Sequence, residues 1–221
     1  MPKKDILSCL FFLFLLMLFT QEALAKILPV KVYVQKYSLS CEAASAKAVL
    51  DYLGNTISED NILKETPYEK TPLTVSEKGE MIWGDPNKGF VGEYNGVSFK
   101  TGYGIYAGPL AITLQKLGFK AQAHKNYTLS ELYFMIKKNR PSVVWVPSAM
   151  KKNSQLKTWK TPEGKTVEGI IDEHTMVFVG ADKKKKLVYL MDVASGQNVH
   201  YSEKHFLEAW GHLKHQALTF P

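Results

Sequence analysis

Val30, Val32 and Val34 alternate with Lys31, Tyr33 and Gln35, a two-residue period that predicts a short strand over Pro29 to Val34 and a polar turn at Lys36 to Ser40. From Cys41 the period becomes helical. The segment CEAASAKAVLDYLG consists of good helix formers, spaces Ala44, Ala48, Val49, Tyr52 and Leu53 along one side, and ends on Gly54 as a stop. Ser40 stands at the N-cap position, so Cys41 is expected in the first turn. Ser58 to Glu65 predicts a second short helix. Thr66 to Gly104 is rich in Gly, Pro, Asn and aromatic residues and has little periodicity, which predicts a long ordered loop. Trp83, Phe90, Tyr94, Phe99, Tyr103 and the adjoining Tyr106 argue that this loop packs and lines a cleft.

Helical spacing returns over Gly108 to Leu117 and stops at Gly118, with a strand expected at Phe119 to Ala123. Thr128-Leu129-Ser130-Glu131 is a capping-box pattern that opens a helix to Lys138. Strands then dominate. Ser142 to Val146 is short and apolar, and Trp159 to Val167, turning at Pro162-Glu163-Gly164, predicts a protruding hairpin. His174 to Gly180 and Leu187 to Met191 predict two apolar strands joined by the Lys183 to Lys186 turn. Gln197 to Tyr201 adds a strand, Ser202 to Trp210 a helix, and Gln216 to Phe220 a last edge strand. This order defines an α+β domain whose N-terminal helices pack on a C-terminal antiparallel sheet.

The first 25 residues have a separate pattern. Lys3 and Lys4 precede an apolar run from Ile6 to Phe19, and Ala23-Leu24-Ala25 follows as a small-residue cleavage site. The run falls short of the ~20 residues of a spanning helix, so residues 1–25 are expected to be a cleaved export signal, leaving no stable membrane span. Ile6-Leu7-Ser8-Cys9 has the apolar core after the cysteine, the reverse of a lipoprotein box. Removing 25 of 221 residues leaves 196, enough for one core, so residues 26–221 are expected to form one domain. The net charge is +7, with Lys3 and Lys4 cancelled by Asp5 and Glu22, so the mature surface is basic. That favours contact with anionic surfaces such as wall polymers or lipid headgroups. The lysines are scattered and lack interleaved aromatics, which argues against nucleic acid.

Loss of the leader removes Cys9 and leaves Cys41 as a lone thiol in a compartment where disulfides form. A lone cysteine is often a small buried hydrophobe. In the first turn of a helix, however, unpaired N–H groups and the dipole lower a thiol's pKa. A thiol nucleophile also needs a base and a group to orient that base. His174 opens a strand and Asp192 closes the next, and antiparallel pairing sets such positions side by side. Asp172 and Asp182 compete for the orienting role, but the first is on the same strand as His174 and the second is at the far end of the hairpin. Gln35, six residues before the cysteine, could add a side-chain amide to the Cys41 N–H as an oxyanion donor. His200, His205, His212 and His215 have no recognised metal-ligand spacing. Asp85-Pro86-Asn87-Lys88-Gly89 begins like a calcium loop, but Gly96 stands where the distal glutamate would be. Asn126-Tyr127-Thr128 is a glycosylation sequon relevant only in a eukaryotic secretory pathway.

In the order Gln35, Cys41, His174, Asp192 the chain resembles papain-like cysteine peptidases. It is most similar to the C39-like peptidase family, the stand-alone relatives of the bacteriocin-processing peptidases. The likeness runs from Leu28 to Leu218 through YSLSCEAASAKAVLDYLG, WGDPNKGFVGEYNG, YGIYAGPLAITLQKLGF, RPSVVWV and HTMVFVG. The resemblance implies a papain-like fold and a thiol-dependent peptidase or amide hydrolase that needs no metal or cofactor. It implies Cys41 as nucleophile, His174 as general base, Asp192 as orienting acid and Gln35 as oxyanion donor. One position departs, because family members often carry Asp-Pro here and Asp192 is followed by Val193. A peptide or amide is the expected substrate. A cell-wall cross-link or acyl transfer at the same site, or a papain-like shell that binds without turnover, are the alternatives. Many such chains sit in membrane transporters that trim double-glycine leaders, whereas this one is expected to be secreted or surface-associated in a bacterium.

Overall fold

The structure is a computed structural model that describes residues 25–221. All but the last residue of the expected export signal therefore lies outside the described residues. The chain opens with β1 (Lys26–Ile27), runs on to a turn, and enters α1 (Cys41–Tyr52) and α2 (Glu59–Glu65). The long loop carries β2 (Tyr68–Glu69), β3 (Thr74–Val75), β4 (Met81–Ile82) and β5 (Phe90–Val91). Then come α3 (Ala107–Lys116), β6 (Gln122–His124), α4 (Leu129–Lys137) and β7 (Ser142–Pro147). The hairpin β8 (Leu156–Lys160) and β9 (Thr166–Ile170) precedes β10 (Glu173–Asp182), β11 (Leu187–Asp192), β12 (Gln197–Ser202), α5 (Glu203–Gly211) and β13 (Ala217–Thr219).

The main sheet is antiparallel in the order β12-β11-β10-β7-β13-β6, and it positions the site through β10. Glu173 to Phe178 of β10 pair with β7, and beyond them β1 takes over against Gly180 and Ala181. Gly180 permits this, because a Cβ there would fall 2.3 Å from the Lys26 carbonyl oxygen. Side chains of a strand alternate between faces. Thr175 meets α1 through Ser45, Oγ to Oγ1 at 3.1 Å. Phe178 packs from the opposite face against Tyr133 of α4 and Phe206 of α5. The core thus has helices on both sides of β10.

Helix α1 is buried nearly all round, over Cys41 to Ala46 and again over Ala48 to Leu50. Its alanines and serine bring the helix backbone close to the sheet, so a charged neighbour such as Glu42 is carried inside with them. Ser58 caps α2 through the Asn61 N–H, and Thr128 and Glu131 close the expected capping box on α4.

Several expected elements differ. Residues 29–34 form no ladder: Leu28 donates to Val179 and Gln35 to Val193, while Val32 and Val34 face solvent. Ser40 precedes α1 without capping it, since its hydroxyl bonds the N–H and C=O of Tyr37. The strand after α3 starts at Gln122, because Phe119 and Ala121 donate their N–H groups to a local turn. β13 is interior to the sheet, between β7 and β6. The β8–β9 hairpin does not protrude alone. It joins β3 and β4 in a second sheet, and Trp159 lies among Trp83, Phe99 and Tyr103 with its indole N–H on the Gly84 carbonyl at 2.7 Å. The aromatic residues of the long loop therefore bind it to the hairpin, as packing rather than disorder requires. Among the described residues, no helix is long and apolar enough to cross a membrane.

Candidate active site

Asp192 lies opposite Met176 in the β10–β11 register, which sets it diagonally beside His174 on the same face. His174 Nε2 is 2.7 Å from Asp192 Oδ1. The same oxygen accepts the Ala194 N–H, and Oδ2 accepts the Ser195 hydroxyl. Burial alone would raise the Asp192 carboxyl, but the bonds from His174, Ser195 and Ala194 outweigh it and hold the group well below the usual carboxylate range. An ionised Asp192 can only accept, so His174 donates from Nε2, which leaves Nδ1 as the ring nitrogen that can face a nucleophile. No hydrogen bond engages Nδ1 among the described residues. Asp172 pairs instead with Lys151 at 3.0 Å, and Asp182 accepts the Lys185 N–H in the hairpin turn. The structure thus separates the three aspartates and joins Asp192 to the histidine.

Cys41 is the first residue of α1 and is 5 % exposed. Its thiol donates to Glu42 Oε2 at 3.4 Å. Burial pushes the thiol well above the ordinary cysteine value, and the Glu42 and Glu173 carboxyls push it further than Thr175 draws it back. The helix start therefore does not yield a thiolate in this state. Desolvation and two acids exceed the effect of the helix N-terminus. No hydrogen bond joins Cys41 to His174, although the Cys41 thiol lies within 4.8 Å of a carboxylate oxygen of Glu173, the residue before the histidine.

Gln35 is tied to the same region through its own N–H, which donates to the Val193 carbonyl beside Asp192. Its side-chain amide is committed, with Nε2 donating to Tyr37 O at 2.7 Å and to Ser38 O at 3.0 Å. It braces the turn that leads into Cys41, and as it stands it offers no free N–H to an oxyanion. The Cys41 backbone N–H is without a partner among the described residues.

Two residues of the site went unmarked in the sequence. Glu42 is 1 % exposed and accepts the Ile105 N–H on Oε1 at 2.7 Å; burial raises its carboxyl to about 7, with that bond opposing. Glu173 is raised well above the carboxylate range by burial and by Glu42. Donor atoms of Cys41, Glu42 and Glu173 lie within 4.8 Å of one another, the one such trio among the described residues. The signal for Glu42 was its place in a run of small residues that a buried helix needs. The histidines weighed as metal ligands are dispersed: His205 bonds Met150 O, His212 bonds Lys152 O, His200 lies on Tyr189 and His215 on Trp210. Asp85 is a turn residue that accepts from Asn87 and is paired with Lys165 at 2.7 Å.

A helix that presents a cysteine beside an antiparallel strand opening on a histidine, with an aspartate on the next strand, is the arrangement of papain-like proteins. Residues 27–218 match the model of the Peptidase_C39 like family. The chain belongs to that family. It is 30% identical over 181 residues to the uncharacterized protein YvpB of Bacillus subtilis, covering 81% of this chain and 68% of YvpB. A crystal structure of a candidate C39-like peptidase from Bacillus anthracis superposes with a TM-score of 0.74 at 27% identity, over 89% of this chain and 97% of that one. The peptidase domain of Streptococcus ComA, a bifunctional ABC transporter, shares the fold at a TM-score of 0.50 and 15% identity, over 87% of this chain and 98% of that domain.

Proposed function

We propose that the protein is an exported cysteine peptidase or amide hydrolase in which Cys41, His174 and Asp192 act as the triad. The observation that carries this is the 2.7 Å bond from His174 Nε2 to an ionised Asp192, which turns Nδ1 away from the acid. Substrate binding turns Cys41 Sγ from Glu42 towards the imidazole. His174 Nδ1 takes the thiol proton as the S–C bond forms, and Asp192 stabilises the imidazolium. The Cys41 N–H holds the oxyanion, and Gln35 joins it by releasing one of its two turn carbonyls. Collapse of the tetrahedral intermediate breaks the C–N bond, and the imidazolium returns its proton to the leaving amine. Water, deprotonated by the same imidazole, then releases the acyl group from sulfur. Neither a metal nor a cofactor enters this sequence.

The substrate lies along the long loop. A cavity of about 700 Å³ is lined there by Tyr68, Leu73, Trp83, Glu93 and Tyr94. It abuts the approach to the nucleophile, because the Leu39 N–H bonds the Tyr94 carbonyl two residues before Cys41. Its aromatic walls suit an apolar side chain of a peptide. The +7 net charge suits an anionic wall polymer nearby. One observation favours a second reading, a binding module without turnover: the thiol faces Glu42 and not His174.

Profiling the purified protein on a peptide library and on purified wall fragments tests these readings. Cleavage of peptides beside apolar residues, lost in Cys41→Ala, is expected. Tight binding with no cleavage of either substrate, unchanged in Cys41→Ala, would establish the binding module instead.

A further inference from the structure

Beside Cys41 the buried carboxyl of Glu42 and the half-buried Glu173, whose Oε1 is sealed from solvent, stand next to each other, and the triad uses neither. Two ionised carboxylates this close, out of water, repel strongly, so one of them holds a proton. The donors around them show which. Glu42 receives two, the Ile105 N–H and the Cys41 S–H, and so behaves as the carboxylate. Glu173 receives none: its Oε1 is buried without a hydrogen-bond partner, which suits the neutral acid. Gly104, at φ 146°, keeps the two together, since a Cβ there would fall 2.4 Å from Glu42 Oε1 and 2.9 Å from Glu173 Oε2. Only glycine lets the backbone lie against both groups.

The other titratable groups facing the pair are few. Cys41 comes from α1, and His174 follows Glu173 on β10 with Asp192 behind it on β11. Tyr103 and Tyr106 come from the segment entering α3, and their hydroxyls bond each other at 3.0 Å. Burial, with Glu173 nearby, keeps both tyrosines un-ionised across the working range.

We propose that Glu42 and Glu173 are positioning residues that hold Cys41 at rest as a neutral thiol turned away from the imidazole, with Glu42 as acceptor of the S–H and Glu173 as its proton-bearing partner. This deepens the peptidase reading and rests on it. The site then works by general-base catalysis at the moment of attack and not from a standing thiolate–imidazolium pair. A neutral, buried thiol also resists oxidation outside the cell until substrate releases it.

The test is the rate of iodoacetamide alkylation of Cys41 across pH 5 to 10, followed by intact mass, in the wild type, Glu42→Gln and Glu173→Gln. The wild-type midpoint is expected above the ordinary cysteine value of about 8.5. Glu42→Gln retains an oxygen for the Ile105 N–H but loses the charge. Its midpoint should fall by about one unit, so that alkylation well below the midpoint is about tenfold faster. Glu173→Gln should change the rate at neutral pH less than about twofold, since it replaces a group already neutral. A wild-type midpoint at or below that of free cysteine overturns the proposal, as does an unchanged midpoint in folded Glu42→Gln. So does a midpoint that moves only when a chelator is added, which would place a cation where the proton is assigned. Should Glu42→Gln not fold, infrared difference spectra decide: the wild type at neutral pH should show a protonated-carboxyl stretch that Glu173→Gln lacks, and its absence overturns the assignment. The peptidase reading fails separately, by an alkylation profile as expected with no turnover of any peptide.

Discussion

His174→Ala is expected to slow acylation at Cys41 by about two to four powers of ten while leaving the fold intact. The size follows from the resting state of the thiol. Cys41 is held neutral by burial and by the Glu42 carboxylate, so without a base little of it is available as nucleophile at neutral pH. The fold survives because Asp192 retains the Ala194 N–H and the Ser195 hydroxyl when the imidazole is removed. Single-turnover acylation by a cleavable peptide is the appropriate measurement, with KM nearly unchanged because the imidazole contributes little to binding. A loss below about tenfold would mean that another group takes the thiol proton, against the role assigned to His174.

Asp192→Ala comes next, with an expected loss of about two to three powers of ten. Without the carboxylate, Nε2–H has no acceptor and the imidazole can present its proton to Cys41 in place of its lone pair. Asp192→Asn separates orientation from charge, because an amide oxygen can still accept from Nε2 and Ala194. Its smaller loss isolates the stabilisation of the imidazolium. The acid has a second signature. Its folded carboxyl lies well below the ordinary 3.8, so it contributes stability that is present above that value and lost as pH falls through the folded one. Thermal melts of Asp192→Asn should therefore match the wild type more closely in strong acid than near neutrality. Glu42 has the opposite sign. With its carboxyl raised to about 7, its contribution is present below the unfolded value of 4.5 and lost as pH rises towards neutrality.

The positions of Cys41, His174 and Asp192 were legible in the chain because each stands at an element boundary that local chemistry marks. Gly54 and the small-residue run define α1, the apolar run defines β10, and the four-lysine turn fixes which residues of β10 and β11 face each other. The valines from Val30 to Val34 misled because alternation describes a strand but not whether a partner edge is free, and here β10 is already flanked by β7, β11 and β1. β13 read as an edge for the same reason, since pairing with β6 is a tertiary fact. Glu42 and Glu173 were passed over because a charged residue next to a motif is ordinarily solvated. What encloses them is the approach of Gly104 and Ile105, more than sixty residues after Glu42. The thiol's acidity was misjudged through the same omission: the helix start could be read from sequence, but the two acids facing it could not.

On the proposed mechanism Cys41 attacks a peptide carbonyl with His174 as its base. Acid-quenching the protein during turnover of a cleaved peptide and mapping the adduct by mass spectrometry tests this most directly. A thioester on Cys41 is expected in the wild type, strongly reduced in His174→Ala and absent in Cys41→Ala. Turnover that persists in Cys41→Ala, or an acyl group on any other residue, would contradict it.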